Sequence, residues 1–157
     1  MRRRGAPLVL LALAAAIVVV TLLRPSHPGR SAIRASWTLT PGVLNPDVTQ
    51  ATIGATICRR GWTRTVRPPV SYTNGLKRRG LRAYGVAGPL SDYQEDHLIS
   101  LELGGNPTDP RNLWPEPYPR ASKVDQIENE LNREVCAGRL TLADAQRRES
   151  ALKHADG

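Results

Sequence analysis

The chain has 157 residues, which allows one compact domain plus a short appendage. Its 22 lysine and arginine residues outnumber its 14 aspartate and glutamate residues, so the formal net charge is +8. It contains only two cysteines, too few for a zinc knuckle, so the composition implies no structural zinc.

The first 30 residues have the composition of an export signal. Three consecutive arginines precede an uncharged run, residues 5–23, and another arginine follows it. As a helix, residues 6–23 would be about 27 Å long, just enough to span a bilayer, whereas secretory signals usually have a shorter apolar segment. Residues 1–30 are therefore either a cleaved signal peptide or an N-terminal membrane anchor. In both cases we expect the protein to be secreted or anchored to the outer face of the cytoplasmic membrane.

Export bears on the two cysteines, Cys58 and Cys136, because disulfides persist outside the cytoplasm. A disulfide between them would close a loop of nearly 80 residues and contribute about 4 kcal/mol to stability. Two separate buried thiols are the alternative.

The rest of the chain divides by composition into three parts. Residues 31–44 are rich in proline, glycine, serine and threonine and predict a flexible tether. Residues 45–150 are expected to form the globular domain, and residues 151–157 a tail. No internal repeat is visible in the sequence.

The first half of the predicted domain has mixed local signals. Asn45-Pro46 is typical of a helix start and predicts a short helix over residues 47–50. The apolar segment ATIGATIC that follows does not distinguish helix from strand. Residues 62–67 alternate like a strand, and residues 74–85 predict a weak helix that Thr73 would cap.

The last third of the chain predicts two helices. Ser122 and Asp125 form a Ser-x-x-Asp capping pattern that opens a helix ending near Cys136. Thr141 and Asp144 repeat the pattern for a second helix.

Between these halves, residues 92–117 predict a β-hairpin. The segment HLISLEL, residues 97–103, alternates roughly as a strand, and Gly-Gly-Asn-Pro at 104–107 forces a turn. A second extended piece follows at 112–117. Strand, loop, strand and helix would form one unit, and the fold class predicted is a small single α+β domain.

Acidic side chains fall on the face of the predicted helix that packs on this hairpin. The apolar stripe of that face consists of Val124, Ile127, Leu131 and Val135. Glu128 falls inside the stripe and Asp125 at its edge. An inward carboxylate is costly unless a cation or hydrogen-bond donors meet it. The hairpin offers Asp96 and His97, but successive strand residues point to opposite faces, so both serve one site only where the strand bends.

The segment DHLISLELGGNPTDPRNL, residues 96–113, resembles the core of HNH (His-Me finger, ββα-metal) endonucleases. The likeness extends to small exported bacterial proteins with such a core over roughly residues 43–148, with the nuclease motif at 96–136. The resemblance implies that His97 is the general base, that Asp96 is a metal ligand, and that Asn112 holds the loop and orients His97.

The chain departs from the family pattern at three points. Ser100 stands where many HNH sequences have proline, and the cysteine pairs of zinc-stapled members are absent, although a Cys58–Cys136 disulfide could stabilise the domain instead. The helical histidine or asparagine that completes the metal site has no identical counterpart. Glu128, or alternatively Asp125, would complete the site, and oxygen ligands suit Mg²⁺ or Mn²⁺.

Charge is distributed unevenly along the chain. Residues 31–91 carry nine basic residues and one acidic residue, whereas residues 92–157 carry eight basic and thirteen acidic residues. This polarity fits an anionic substrate held near a carboxylate-rich metal site, although a solvated surface explains it as well. The candidate nucleic-acid contacts are Lys123, Arg67, Lys77 and Arg78.

The leading hypothesis is an exported, metal-dependent nuclease that hydrolyses DNA or RNA, with no protein partner predicted. The membrane is a partner through residues 6–23 if the signal stays uncleaved. A non-catalytic exported scaffold or binding module that keeps the HNH-like fold is the alternative, and a phosphatase or other metal hydrolase is also open.

Overall fold

A computed structural model describes residues 33–155, and the predicted signal or anchor over residues 1–30 lies outside this part. Its elements are helices α1 (Trp62–Val66), α2 (Val70–Ala83), α3 (Arg120–Cys136) and α4 (Leu142–Ala155), and strands β1 (Tyr93–His97) and β2 (Leu113–Pro117). Short 3₁₀ turns lie at Ile53–Ala55, Leu90–Asp92, Leu101–Leu103 and Pro110–Asn112. The fold class is α+β, as expected. None of the helices described is both long enough and apolar enough to cross a bilayer.

The two strands form an antiparallel hairpin whose register runs from Tyr93 opposite Pro117 to His97 opposite Leu113. The first strand therefore ends at His97, and the expectation of a strand over residues 97–103 is wrong. The physical reason is burial, since Leu98, Ile99, Leu101 and Leu103 are all buried and do not alternate between two faces. A 3₁₀ turn at Leu101–Leu103 lets the chain bury both of its leucines.

The loop between the strands is closed by Asn112, which is fully buried. Its Oδ1 accepts a hydrogen bond from the Ile99 amide at 3.0 Å, and its Nδ2 donates to the carbonyls of Ile99 and Asn106, each at 3.0 Å. The side chain thus satisfies backbone groups on both sides of the loop, as buried polar groups require.

The double glycine of this loop is demanded by close packing. Gly104 has φ +77°, and a side chain there would also collide with Val48. A Cβ on Gly105 would lie 1.7 Å from the Ile99 carbonyl oxygen and 2.7 Å from Nδ2 of Asn112. Only glycine lets the backbone approach this closely.

The main core lies between α3, α4 and the loops that cover them. On α3 the buried residues are Ala121, Val124, Glu128, Leu131 and Val135. Glu128 therefore faces inward as predicted, whereas Ile127 is 39% exposed and does not belong to the stripe. On α4, Leu142 and Ala145 join Leu131 and Val135 in one cluster, which also contains Ile99 and Leu103 of the loop.

Cys58 and Cys136 form a disulfide, which confirms the predicted pairing. The bond joins the segment before α1 to the last residue of α3, and Cys58 packs against the main apolar cluster. It closes a sequence separation of 78 residues, which corresponds to about 4 kcal/mol in the chain-entropy model.

Two local predictions in the first half are corrected by the structure. Residues 62–66 form a helix and not a strand, because the sheet within residues 33–155 consists of β1 and β2 alone and a strand here would leave its backbone groups unpaired. Residues 47–50 form no helix, since the Asn45 side chain accepts from the Asp47 amide at 3.0 Å and makes an Asx-type turn.

Helix starts also differ from the sequence signals. α2 begins at Val70, directly after Pro68-Pro69, so Thr73 lies inside it and bonds back to the Val70 carbonyl. α3 begins at Arg120, so Ser122 does not cap it. The second capping pattern is confirmed, because the Asp144 amide donates to Thr141 Oγ1 at 3.1 Å and Thr141 Oγ1 donates to the Asp144 carboxylate at 2.6 Å.

The ends of the domain are more ordered than their composition predicts. Residues 33–44, expected as part of a tether, lie along the domain, with Leu44 bridged to Gly105 and the Ala35 amide bonded to the Lys153 carbonyl at 3.1 Å. Residues 151–155, expected as a tail, form the end of α4, because Lys153 and His154 are buried. Both corrections have the same cause, since these segments pack against each other.

Replacing Gly105 by alanine tests the loop. We expect Gly105→Ala to destabilise the domain by about 3 kcal/mol, because the new methyl group would overlap the Ile99 carbonyl and crowd the Asn112 side chain. Gly54→Ala is the matched control, since a Cβ at Gly54 meets nothing within 4 Å, and it should change stability by less than about 1 kcal/mol. Urea denaturation measures both, and equal midpoints would contradict the packing described.

Candidate active site

A cavity of about 270 Å³ opens where β1 ends and the loop and α3 meet, and we call it the site cavity. Its lining residues are Arg67, Gln94, Asp96, His97, Ser100, Leu101, Glu102, Asp125, Glu128 and Asn129. Asp96 and His97 both line it although they are neighbours on one strand. The chain leaves the strand directly after His97, so the cavity wraps around the strand end.

Three carboxylates converge at this cavity. Asp96 comes from β1, and Asp125 and Glu128 lie three residues apart on α3, on neighbouring positions of one helical face. One oxygen atom of each lies within 4.8 Å of the others. Asp96 and Glu128 are buried and Asp125 is half-buried. All-oxygen donors of this kind fit Mg²⁺ or Mn²⁺.

His97 is oriented by the loop. Its Nε2 lies 3.1 Å from the Pro107 carbonyl oxygen, which can only accept, so Nε2 carries the hydrogen. In the neutral ring Nδ1 is then the basic nitrogen, and it forms no hydrogen bond within residues 33–155. Burial lowers the pKa of His97, against the opposing effect of the Asp96 carboxylate. The imidazole is therefore neutral at neutral pH and able to accept a proton at Nδ1.

The central cation of this region is Lys153 on α4, which was not among the predicted site residues. Its ammonium group is fully buried and lies 2.7 Å from Asp96 Oδ2, 2.6 Å from Glu128 Oε1 and 3.2 Å from Glu149 Oε1. It also donates to the backbone carbonyl of His97. One side chain thus joins β1, α3 and α4.

A signal for Lys153 was present in the sequence. At 100° per residue, the positions of Ala145, Glu149 and Lys153 lie within about 60° of Leu142 around the helix axis. These four residues therefore form one stripe of α4. Opposite charges four residues apart on an apolar stripe indicate a buried ion pair. The prediction of a tail over residues 151–157 is incompatible with this signal, because it places Lys153 outside the helix.

The electrostatics of the carboxylates follow from burial and Lys153. Burial alone would raise the pKa of Asp96, but the Lys153 ammonium holds it below its usual range. Burial raises the pKa of Glu128 well above normal, and Lys153 offsets this only in part. Burial also raises the pKa of Asp125, and the negative charge of Asp96 adds to the effect. Asp96 is thus the carboxylate that most firmly keeps its negative charge.

A further carboxyl group, Glu116 of β2, is hydrogen-bonded to the Asp96 side chain. Glu116 is fully buried, and burial together with the Asp96 charge raises its pKa to about 8. Arg120, in the first turn of α3, forms an ion pair with it. Sequence reasoning did not select Glu116, whose place beside Asp96 follows from the register of the hairpin, in which Gln94 faces Glu116 and Asp96 faces Trp114.

The four basic residues predicted to contact nucleic acid lie in different environments. Arg67 lines the site cavity and is exposed. The Lys77 ammonium group donates to the carbonyls of Leu90 and Tyr93, at 3.2 and 2.8 Å, and so ties α2 to the start of β1. Arg78 on α2 and Lys123 on α3 are exposed and do not line the cavity.

Lys153 leaves part of the acidic cluster free for a metal. It engages Oδ2 of Asp96 and Oε1 of Glu128, so it does not occupy Oδ1 of Asp96, Oε2 of Glu128 or the Asp125 carboxylate, and Asp96 is also hydrogen-bonded to Glu116. The Gln94 amide nitrogen is 3.4 Å from Oδ1 of both Asp96 and Asp125, a long and weak contact. The donor set therefore fits a hard divalent cation beside the ammonium group.

Comparisons with protein-family models, curated proteins and solved structures gave no significant match.

Removing the buried ammonium group tests its role in stability. We expect Lys153→Met to destabilise the domain by about 3–5 kcal/mol at pH 7, because Asp96 and Glu128 would lose the cation that neutralises them. Lys123→Met, at an exposed lysine, is the matched control and should have little effect. Denaturation curves measure the difference.

The same variant has an expected pH dependence. A carboxyl group whose pKa is raised in the folded state stabilises the fold at low pH and loses that contribution as pH rises through the folded-state pKa. Since burial already raises the pKa of Glu128, the deficit of Lys153→Met should be smaller at pH 5 than at pH 7. If the loss of stability in Lys153→Met were larger at pH 5 than at pH 7, the negative charges left on Asp96 and Glu128 would not be its cause.

Proposed function

We propose that this protein is an HNH-like nuclease that hydrolyses phosphodiester bonds of DNA or RNA with one divalent cation. The observation that carries the proposal is the shared cavity, which is lined both by His97 and by three carboxylates whose oxygens lie within 4.8 Å of one another. The order β1, loop, β2, α3, with His97 at the end of β1, supports the same core.

In the proposed reaction His97 is the general base. Nδ1 takes a proton from water while Nε2 stays bonded to the Pro107 carbonyl, which stabilises the cationic ring that results. Asn112 fixes the loop that carries Pro107, through its bonds to Ile99 and Asn106, and so positions the histidine indirectly. The Asp96 charge favours the protonated ring as well.

Asp96, Glu128 and Asp125 would hold the cation. When bound, it would supply Lewis-acid stabilisation of the negative charge that develops on the phosphate. Arg67, exposed at the cavity, is suited to bind a non-bridging phosphate oxygen. The two oxygens of the Glu128 carboxylate would have different partners. Oε1 accepts a hydrogen bond from Lys153, and Oε2 would bind the ion.

A second candidate function is a non-catalytic scaffold with the same fold, and one observation favours it. The Lys153 ammonium group already bridges Asp96 and Glu128 at 2.7 and 2.6 Å, so these two carboxylates have a cation without any metal. A domain that uses its acidic cluster only for internal ion pairing would bind no divalent ion.

We also propose that the protein works outside the cytoplasm. The basic and apolar run of residues 1–30 and the disulfide support secretion or anchoring to the outer face of the membrane. In that location the substrate would be extracellular or periplasmic nucleic acid.

Cleavage assays test the general base. The purified chain with its disulfide intact should cut plasmid DNA or RNA in Mg²⁺ or Mn²⁺, and His97→Ala should lower the rate by about 10²–10⁴-fold. Glu130→Gln, at an exposed carboxylate of α3 outside the cavity, is the control and should keep full activity. Wild-type cleavage rates in a folded His97→Ala variant would overturn the role of His97.

Calorimetric titration with Mn²⁺ separates the two candidate functions. A nuclease of the proposed kind should bind one ion, and Glu128→Gln should weaken binding by at least roughly 10–100-fold, the loss that changes beside a ligand already cause, with Glu130→Gln again as the control. If folded wild-type protein binds no Mn²⁺, the scaffold becomes the better explanation.

A further inference from the structure

A second cavity, of about 480 Å³, adjoins the site cavity. Glu102 and Asn129 line both, so the two spaces share a wall. Three arginines line the second cavity, Arg59, Arg60 and Arg133, and we call it the basic groove. A positively charged surface therefore continues directly from the carboxylates.

The three arginines are free to bind an external anion. All three side chains are exposed, and none forms an ion pair with a carboxylate of residues 33–155. By contrast, Arg139, close to Arg133 in sequence, is held by Glu134 at 2.7 Å. Arginine matches phosphate oxygens with two parallel N–H donors, and an unpaired cluster favours a polyanionic ligand.

The walls of the basic groove are α3 on one side and the segment after Cys58 on the other. Asp125, Asn129 and Arg133 follow one another at four-residue intervals along one side of α3, so Arg133 lies about 12 Å along the helix from Asp125. Arg59 and Arg60 directly follow Cys58, whose disulfide partner Cys136 ends the same helix. The disulfide thus keeps the two basic walls together.

We infer that the basic groove binds the phosphates of a nucleic-acid strand that flank the phosphodiester in the site cavity. This inference rests on the proposed function, and it assigns substrate binding to Arg59, Arg60 and Arg133. The acidic site alone would repel a polyanion, and the adjoining arginines supply the attraction that draws the strand across it. The substrate is accordingly a polynucleotide, since a small diester reaches only the site cavity.

A triple variant, Arg59→Gln, Arg60→Gln and Arg133→Gln, tests the assignment. The control removes three other exposed arginines that form no ion pair within residues 33–155 and line neither cavity, in the variant Arg34→Gln, Arg82→Gln and Arg148→Gln, so both proteins lose the same net charge. Each is assayed with Mn²⁺ on a single-stranded 20-mer and on bis(p-nitrophenyl) phosphate.

The groove variant should raise KM for the 20-mer on the order of 10²-fold at 0.1 M salt, because each lost phosphate contact removes about 0.7 counterions from the binding equilibrium. The salt slope of log K should fall by about 2. Its kcat and its activity on the small diester should stay at the wild-type level. The control variant should bind the 20-mer with nearly wild-type affinity.

Anisotropy of a fluorescent 20-mer measures strand binding by the groove independently of cleavage. If neither substrate is cleaved but the groove variant alone loses binding, the nuclease proposal fails and the groove assignment stands. Equal binding by the groove variant and the wild type would overturn the assignment, as would an equal loss in the control variant. Polyglutamate that competes as well as the 20-mer at equal charge would overturn a nucleic-acid ligand.

Discussion

The ion pairs of the buried Lys153 ammonium group hold the elements of this domain together. The ammonium group meets Asp96 of β1, Glu128 of α3 and Glu149 of α4, and Glu149 in turn accepts from the Ser100 amide in the loop. Four parts of the chain are therefore joined at one point. Because an uncompensated buried charge is expensive, the members of this cluster can be buried only together.

The same cluster is compatible with both candidate functions, the nuclease and the scaffold. In the proposed nuclease, Lys153 orients one oxygen of Asp96 and of Glu128 and leaves the other oxygen of each to a divalent ion. In a scaffold, the ammonium group is the only cation that the cluster needs. Both alternatives use the same fold, so the difference lies in whether the remaining oxygens and the Asp125 carboxylate attract an ion strongly enough. The neutral His97, fixed by Pro107, and the neighbouring arginines favour the nuclease.

Sequence reasoning succeeded where one local signal was strong and failed where a short segment suited two structures. Thr141 and Asp144 cap α4, and Glu128 faces inward, because capping chemistry and helical periodicity are local properties. Residues 62–66 have only two apolar positions, four apart, which fit a strand and a helix equally well. The strand prediction for residues 97–103 rested on apolar residues that alternate with Ser100 and Glu102, but Ser100 is buried with them, so the alternation does not reflect a half-exposed strand.

The α+β class, Cys58 and Cys136 as possible disulfide partners, the hairpin with its glycine loop, and the inward Glu128 could all be predicted, since each follows from composition or from residues close together in the chain. The place of His97 at the end of β1, and the position of the Lys153 ammonium group between Asp96 and Glu128, became visible only in the folded domain. The physical reason is that a buried charge is stable only beside its partner, and Lys153 is 57 residues from Asp96. Pairing across that distance depends on how α4 docks against the hairpin, which no local pattern records.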